Sequence, residues 1–112
     1  MAKSRNQKRH DQIMQAIKRD ARRTFEDDNT KTMIAIQIID YLKLELSTDR
    51  FFSDDRTATE VAENLEITIE MAEEILKALE IAKVLEPLDC GEIYYSYHTR
   101  YYLMRINYKA ID

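Results

Sequence analysis

The chain has 112 residues, of which 45% are hydrophobic and 34% are charged, and its formal net charge is −4. This length suits one domain with its own core, and a content of one glycine and one proline favours long helices over a sandwich or barrel. The lone Cys90 excludes an intramolecular disulfide and a cysteine zinc site. Because the N-terminus is polar and basic without an apolar signal region, we expect a cytoplasmic protein.

Positive charge is concentrated at the N-terminus. Residues 1–23 hold eight lysines and arginines against two aspartates, whereas residues 24–112 hold nine basic and nineteen acidic side chains. Apolar residues at helical spacing predict a helix over residues 7–25. This basic arm, residues 1–29, is either a solubilising terminus or a surface for the phosphates of double-stranded DNA. An anionic membrane surface ranks third, because the apolar face of the helix lacks tryptophan and a high density of bulky residues, and we expect no membrane contact. The candidate DNA contacts of the arm are Lys3, Arg5, Lys8, Arg9, Lys18, Arg19, Arg22 and Arg23.

The second predicted helix covers residues 31–46, and Asn29 or Thr30 can cap its N-terminus by accepting a backbone hydrogen bond. Its apolar residues occupy most of the helix circumference. The helix is therefore expected to be central to the domain, or to be shared with a second copy in a homodimer. It is predicted to end in a loop that Phe51 and Phe52 anchor on the core.

Two further helices are predicted by their capping residues. Thr57 and Glu60 form a capping box, in which hydroxyl and carboxylate satisfy exposed backbone N–H groups. Thr68 can cap the helix that follows, and Glu70 complements the positive end of that helix's dipole.

The pattern then becomes typical of strands. Residues 84–88 and 92–98 are two short runs rich in β-branched or aromatic residues around a turn that contains Gly91, which predicts a hairpin. The tail, residues 99–112, fits either a strand or a helix, and a helix is slightly favoured.

Residues 57–80, followed by 81–87 and 91–95, resemble the winged helix-turn-helix superfamily. The matching positions include Ala62 where the two helices cross, Leu65 before the turn, and Ile75 and Leu79 on the buried face of the second helix. The resemblance implies a mainly α fold with a small β-hairpin wing, a winged helix-turn-helix preceded by two helices, with the domain at residues 30–112. Proteins of this superfamily act as DNA-binding regulators, as replication or segregation factors, and as protein-binding modules.

The second helix of the helix-turn-helix departs from DNA-reading members of the superfamily because it is acidic. Residues 54–92 carry twelve acidic and three basic side chains. By analogy with those members, only Thr68 and Lys77 among its outward residues suit a phosphate. The tail offers two more candidate phosphate contacts, Arg100 and Arg105. The outward acidic residues are either a solvated face or a surface that binds a basic protein or mimics nucleic acid: Glu70, Glu73 and Glu74.

Catalysis has little support in the sequence. His10 and His98 lack a recognisable acid and nucleophile, and a single glycine cannot supply a phosphate-binding loop. We therefore expect neither an enzyme nor a cofactor or metal site. The sequence favours a small dimeric DNA-binding regulator, of the kind that phages, plasmids or viruses carry, that contacts the DNA backbone through its arm. The alternative is a winged-helix module for protein interaction.

Overall fold

The computed structural model describes residues 5–47 and 50–101, with the side chains of residues 7–43 and 54–101. The described chain is mainly helical, as predicted, and the predicted hairpin is part of a small three-stranded antiparallel sheet whose third strand was not predicted. The helices are α1 (Arg5–Thr24), α2 (Asn29–Leu42), α3 (Ala58–Leu65) and α4 (Ile69–Ile81). The strands are β1 (Leu44–Ser47), β2 (Arg50–Ser53), β3 (Arg56–Thr57), β4 (Leu85–Asp89) and β5 (Ile93–Tyr97).

The sheet has the strand order β3-β5-β4, so β5 lies at its centre. The hairpin of β4 and β5 was predicted and is confirmed, with Pro87 opposite Tyr95 in its register. Gly91 takes a φ of 97° in the turn, a conformation that favours glycine. Its backbone N–H donates to Asp89 Oδ1 over 3.1 Å, which further fixes the turn.

A shared hydrophobic core joins α1 to the rest of the described chain. The apolar stripe of α1 is buried, with Ile13 and Ile17 fully inaccessible to solvent, and the same cluster includes Ile38 of α2, Leu76 of α4 and Tyr97 of β5. The basic arm predicted at residues 1–29 thus contains a helix that is packed into the core formed by residues beyond 30. Burial of this stripe stabilises the fold, because apolar burial is the main favourable term in folding.

The predicted N-caps of α3 and α4 are confirmed, whereas the predicted cap of α2 is wrong. Thr57 Oγ1 accepts from the backbone N–H of Glu60 over 3.2 Å, and Thr68 Oγ1 accepts from that of Met71 over 3.1 Å. In α2 the cap is Asp28, whose carboxylate accepts from the N–H of Lys31 over 3.0 Å. An aspartate one position earlier caps a helix as well as asparagine does, and sequence spacing does not separate the two.

The prediction that α2 continues to residue 46 is also wrong. The helix ends at Leu42, Lys43 takes a φ of 45°, and residues 44–47 pair with residues 50–53 as an antiparallel hairpin. Residues 44–47 alternate between apolar and polar, a strand period that the apolar run before them concealed. Phe51 and Phe52 therefore lie in β2 and not in a loop, and their predicted anchoring on the core falls outside the described side chains.

The apolar circumference of α2 is largely accounted for by packing within one chain. Its buried residues include Ile38, Ile39 and Leu42, and Ile34 is partly buried against the same core. Met33 is 65% exposed. The homodimer proposed from this helix remains a prediction.

Only the beginning of the tail is described. Residues 99–101 are helical, which agrees with the favoured helix for the first turn. Residues 102–112 lie outside the part of the chain that the structure describes.

The C-terminal end of α2 is satisfied by groups from elsewhere in the chain. The last four carbonyls of a helix lack partners within it. Here the buried Tyr97 hydroxyl donates to the Ile39 carbonyl over 2.5 Å, and the Asp54 N–H donates to the Leu42 carbonyl over 2.8 Å. The first bond joins β5, the central strand of the sheet, to α2, and the second joins the residue that follows β2 to the same helix.

Replacing Tyr97 with phenylalanine is expected to lower the free energy of unfolding by about 1–2 kcal/mol, because a buried carbonyl loses its donor. Urea denaturation followed by circular dichroism measures the change. Tyr94→Phe is the matched control, since Tyr94 is only half-buried on the same strand. Equal losses in the two variants would contradict a specific role for the Tyr97 hydroxyl.

Candidate nucleic-acid interface

A network centred on Asp20 joins the end of α1 to the segment after β5. The Tyr101 hydroxyl donates to Asp20 Oδ2 over 2.8 Å, and Arg100 Nη2 donates to the same oxygen over 3.0 Å and to the Tyr101 oxygen over 2.6 Å. On the other side, Arg19 Nε donates to Asp20 Oδ1 over 3.4 Å, and Arg23 Nη1 lies 3.9 Å from that oxygen. One carboxylate therefore organises three arginines.

The network changes the titration of its members. Burial opposes ionisation of Asp20, but hydrogen bonds from Tyr101 and Arg100 outweigh it and lower the pKa of this carboxyl. Burial and the hydrogen bond to Asp20 raise the pKa of the Tyr101 phenol. At neutral pH Asp20 is ionised and Tyr101 is neutral, so both hold the protonation states that their mutual hydrogen bond requires.

Arg100 is further held by the end of α4. Its Nε donates to the Lys83 carbonyl over 2.8 Å, and its guanidinium lies 4.2 Å from the centroid of the Tyr101 ring. Lys83 adopts a φ of 61° in a Schellman-type helix end, where the Val84 N–H donates to the Leu79 carbonyl over 2.9 Å. The exposed Lys83 is thereby placed next to Arg100.

Arg19, Arg23 and Arg100 are brought together by their contacts with Asp20. We call these three residues, with their exposed neighbours in the chain and at the end of α4, the arginine face: Arg19, Arg22, Arg23, Lys83 and Arg100. Arg22 and Arg23 are exposed in the last turn of α1, and the Arg23 side chain is 71% exposed. Arg19, Arg23 and Arg100 line a surface depression of about 500 Å³. The two regions singled out for phosphate contacts, the N-terminal arm and the tail, therefore meet at this surface.

The other arm residues predicted to contact DNA lie outside the arginine face, are buried, or form ion pairs within the chain. Lys8 is exposed, Arg9 is only 6% exposed, and Lys18 Nζ lies 2.8 Å from Asp40 Oδ1. The side chain of Arg5 is outside the described set. Lys3 and Arg105 also lie outside the described residues.

The exposed surface of α4, the counterpart of the helix that contacts DNA in DNA-binding winged-helix proteins, is acidic. Glu70 and Glu73 are exposed, and Glu74 Oε1 lies 3.1 Å from Lys31 Nζ of α2. Its predicted phosphate contacts are occupied within the chain: Thr68 caps the helix, and Lys77 Nζ lies 2.9 Å from Glu80 Oε2. The carboxylate of Glu80 raises the pKa of Lys77.

Sequence reasoning missed two members of the site, Asp20 and Lys83. Asp20 carried a usable signal, because it is one of only two acidic residues in a strongly basic segment and follows an apolar position by three residues. Lys83 carried none, because its place depends on the helix end and on a hydrogen bond to Arg100, 17 positions later.

Asp20→Asn is expected to lower the free energy of unfolding at neutral pH by about 1.5–3 kcal/mol, because charge-assisted hydrogen bonds are lost. The pKa of Asp20 is depressed below the ordinary 3.8, so its contribution is complete above that value and is lost as pH falls through the depressed pKa. The difference in the free energy of unfolding between wild type and Asp20→Asn should therefore become smaller below about pH 4. Urea denaturation across this pH range measures it.

Asp27→Asn is the control, since Asp27 is exposed between α1 and α2. A deficit in Asp20→Asn that stays constant down to the lowest pH would rule out the ionised carboxylate as the stabilising species.

No family model, curated protein or solved structure matches the chain. Within residues 5–47 and 50–101, no helix combines the length and hydropathy needed to cross a bilayer. Among the described side chains, those of residues 7–43 and 54–101, no group of three histidines, cysteines, aspartates or glutamates is placed to hold a metal ion.

Proposed function

We propose that this chain is a small DNA-binding protein of winged-helix type that holds the phosphate backbone of duplex DNA with the arginine face. The observation that carries the proposal is the convergence of Arg19, Arg23 and Arg100 on one depression around a single, largely buried carboxylate. Planar guanidinium groups bind phosphates through paired hydrogen bonds, and a surface of this kind is what backbone contacts require.

The order of elements supports the winged-helix part of the proposal. A helix (α2), a short strand (β3), two helices (α3, α4) and a hairpin (β4, β5) follow one another, and the short strand pairs with the second strand of the hairpin. The hairpin β1–β2 is an insertion between the first helix and the first strand of this arrangement.

The distribution of charge supports the arginine face over α4 as the DNA contact. Glu70 and Glu73 on the exposed side of α4 repel phosphates, whereas three arginines of the arginine face converge on the single carboxylate of Asp20. Asp20 is also only 14% exposed, so it orients the arginines without presenting its charge to a ligand. Because the whole chain carries −4, its net charge opposes long-range attraction to DNA, and the affinity depends on this local surface.

The test is fluorescence anisotropy of a labelled random-sequence duplex, titrated with the full chain at several salt concentrations. We expect binding that weakens steeply as salt rises, because phosphate contacts release counterions. Arg23→Gln should flatten the plot of log affinity against log salt by about one unit of slope, whereas Lys77→Gln, the matched control, should leave it unchanged. The absence of binding at low salt would refute the proposal.

A further inference from the structure

A second surface, which we call the wing groove, lies among the start of α3, the middle of α4 and the beginning of β5. It is an open cavity of about 540 Å³. Three of its lining residues are apolar or aromatic: Ala58, Ile93 and Tyr95. Ile93 is 48% exposed although it lies on a strand, whereas Tyr95, two residues further along β5, is almost buried. The groove thus offers apolar surface that the chain itself leaves uncovered.

The charged residues of the wing groove favour a basic ligand. Glu73 and Glu92 line it and both are exposed, and its lysine, Lys77, is already neutralised by Glu80 at 2.9 Å. Burial is the main cause that raises the pKa of the Tyr95 phenol; the carboxylates of Glu80 and Glu73 add to it, and the ammonium of Lys77 opposes it. An apolar surface with a negative rim complements an apolar side chain flanked by lysine or arginine.

We infer that the wing groove binds a basic segment of a partner protein, in which one apolar side chain enters the groove and flanking lysines or arginines reach Glu73 and Glu92. Phosphate ligands are disfavoured because both rim residues are negative. Of the three α4 glutamates in the sequence hypothesis of a basic partner, Glu73 lines the groove, whereas Glu74 is paired with Lys31 of α2. This site is separate from the arginine face, so a protein partner and DNA do not compete for it.

The test uses a fluorescein-labelled synthetic peptide with one leucine flanked on both sides by arginines, titrated with the full chain at low salt. Glu73→Gln with Glu92→Gln should weaken binding about five- to tenfold, because two exposed charge pairs are lost. The matched control, Glu63→Gln with Glu70→Gln, removes the same charge from exposed positions outside the groove and should leave binding within twofold.

The apolar surface is tested by Ile93→Thr, which keeps a β-branched residue in the strand and should weaken peptide binding about threefold or more. Leu88→Thr is its control, because Leu88 is similarly exposed at 51% on the same hairpin but does not line the groove. Equal effects of the groove and control variants, or equal binding of a peptide with glutamine in place of arginine, would overturn the inference.

Two further measurements distinguish peptide binding in the wing groove from DNA binding and from self-association. Duplex binding by the Glu73→Gln, Glu92→Gln variant should match that of wild type, so failure of the groove and failure of the arginine face are distinguishable. Sedimentation equilibrium of wild type and Ile93→Thr should give the same mass. Self-association that disappears in Ile93→Thr would assign the groove to a second copy and overturn the proposed partner.

Discussion

Ile17→Ala is expected to lower the free energy of unfolding by about 2–4 kcal/mol, because it opens a cavity in a fully buried site. Ile17 is inaccessible to solvent and belongs to the cluster that joins α1 to α2, α4 and β5. A loss of this size is a large fraction of the stability of a small domain. Urea denaturation followed by circular dichroism, with the slope of the transition fitted for each variant, measures it.

Gln15→Ala is the control for this substitution, because Gln15 is exposed on the same helix and alanine favours helix slightly more. An Ile17→Ala variant as stable as Gln15→Ala would show that α1 is not part of the folded core. The same packing bears on the design of binding experiments. A chain lacking residues 1–23 loses core residues together with its basic ones, so point variants are the sound test of DNA contact.

Arg22→Glu combined with Arg23→Glu is expected to reduce affinity for duplex DNA about 100-fold at low salt, because two attractive contacts with phosphates become repulsive. Both residues are exposed in the last turn of α1. The opposite reversal, Glu70→Lys with Glu73→Lys, should leave affinity unchanged or increase it. Fluorescence anisotropy with the random-sequence duplex compares the three proteins.

Thermal unfolding of the same variants controls for effects on the fold. Acidic residues at a helix C-terminus oppose the helix dipole, so a loss of a few tenths to about 1 kcal/mol per residue is expected without loss of structure. Unchanged affinity in the arginine reversals would reject the arginine face as the DNA contact. Neither charge-reversal variant changes Arg9, because this residue is buried.

Local chemistry made much of the fold predictable. The caps Thr57 and Thr68 and the hairpin around Gly91 follow from hydrogen bonding and backbone freedom within a few residues, and all three are present. The hairpin after α2 was missed because its apolar residues continue a helix-like run from residue 33 onward. Both a helical and a strand period fit such a run. The helix ends at Lys43, which has a positive φ, but the residue is not a glycine, so the sequence does not signal the change.

The candidate site was predictable by residue type but not by arrangement. Charge alone singled out Arg19, Arg23 and Arg100, yet Arg100 reaches Asp20 across 80 positions of sequence, and only tertiary packing brings them together. Charge also singled out Arg9 and Lys18, but neither belongs to the arginine face. Arg9 is buried, and Lys18 forms an ion pair with Asp40. A count of basic residues therefore overestimates the surface that remains for a ligand.

Pro87 limits the ways in which a partner can join this protein. It lies on β4, an outer strand of the sheet, and proline has no N–H to donate to an added strand. The opposite outer strand, β3, has only two residues. A peptide therefore pairs poorly with either edge of the sheet as a fourth strand. A protein partner must be recognised through side-chain contacts instead of backbone hydrogen bonds. The same property protects the sheet from growing into aggregates by edge-to-edge contact.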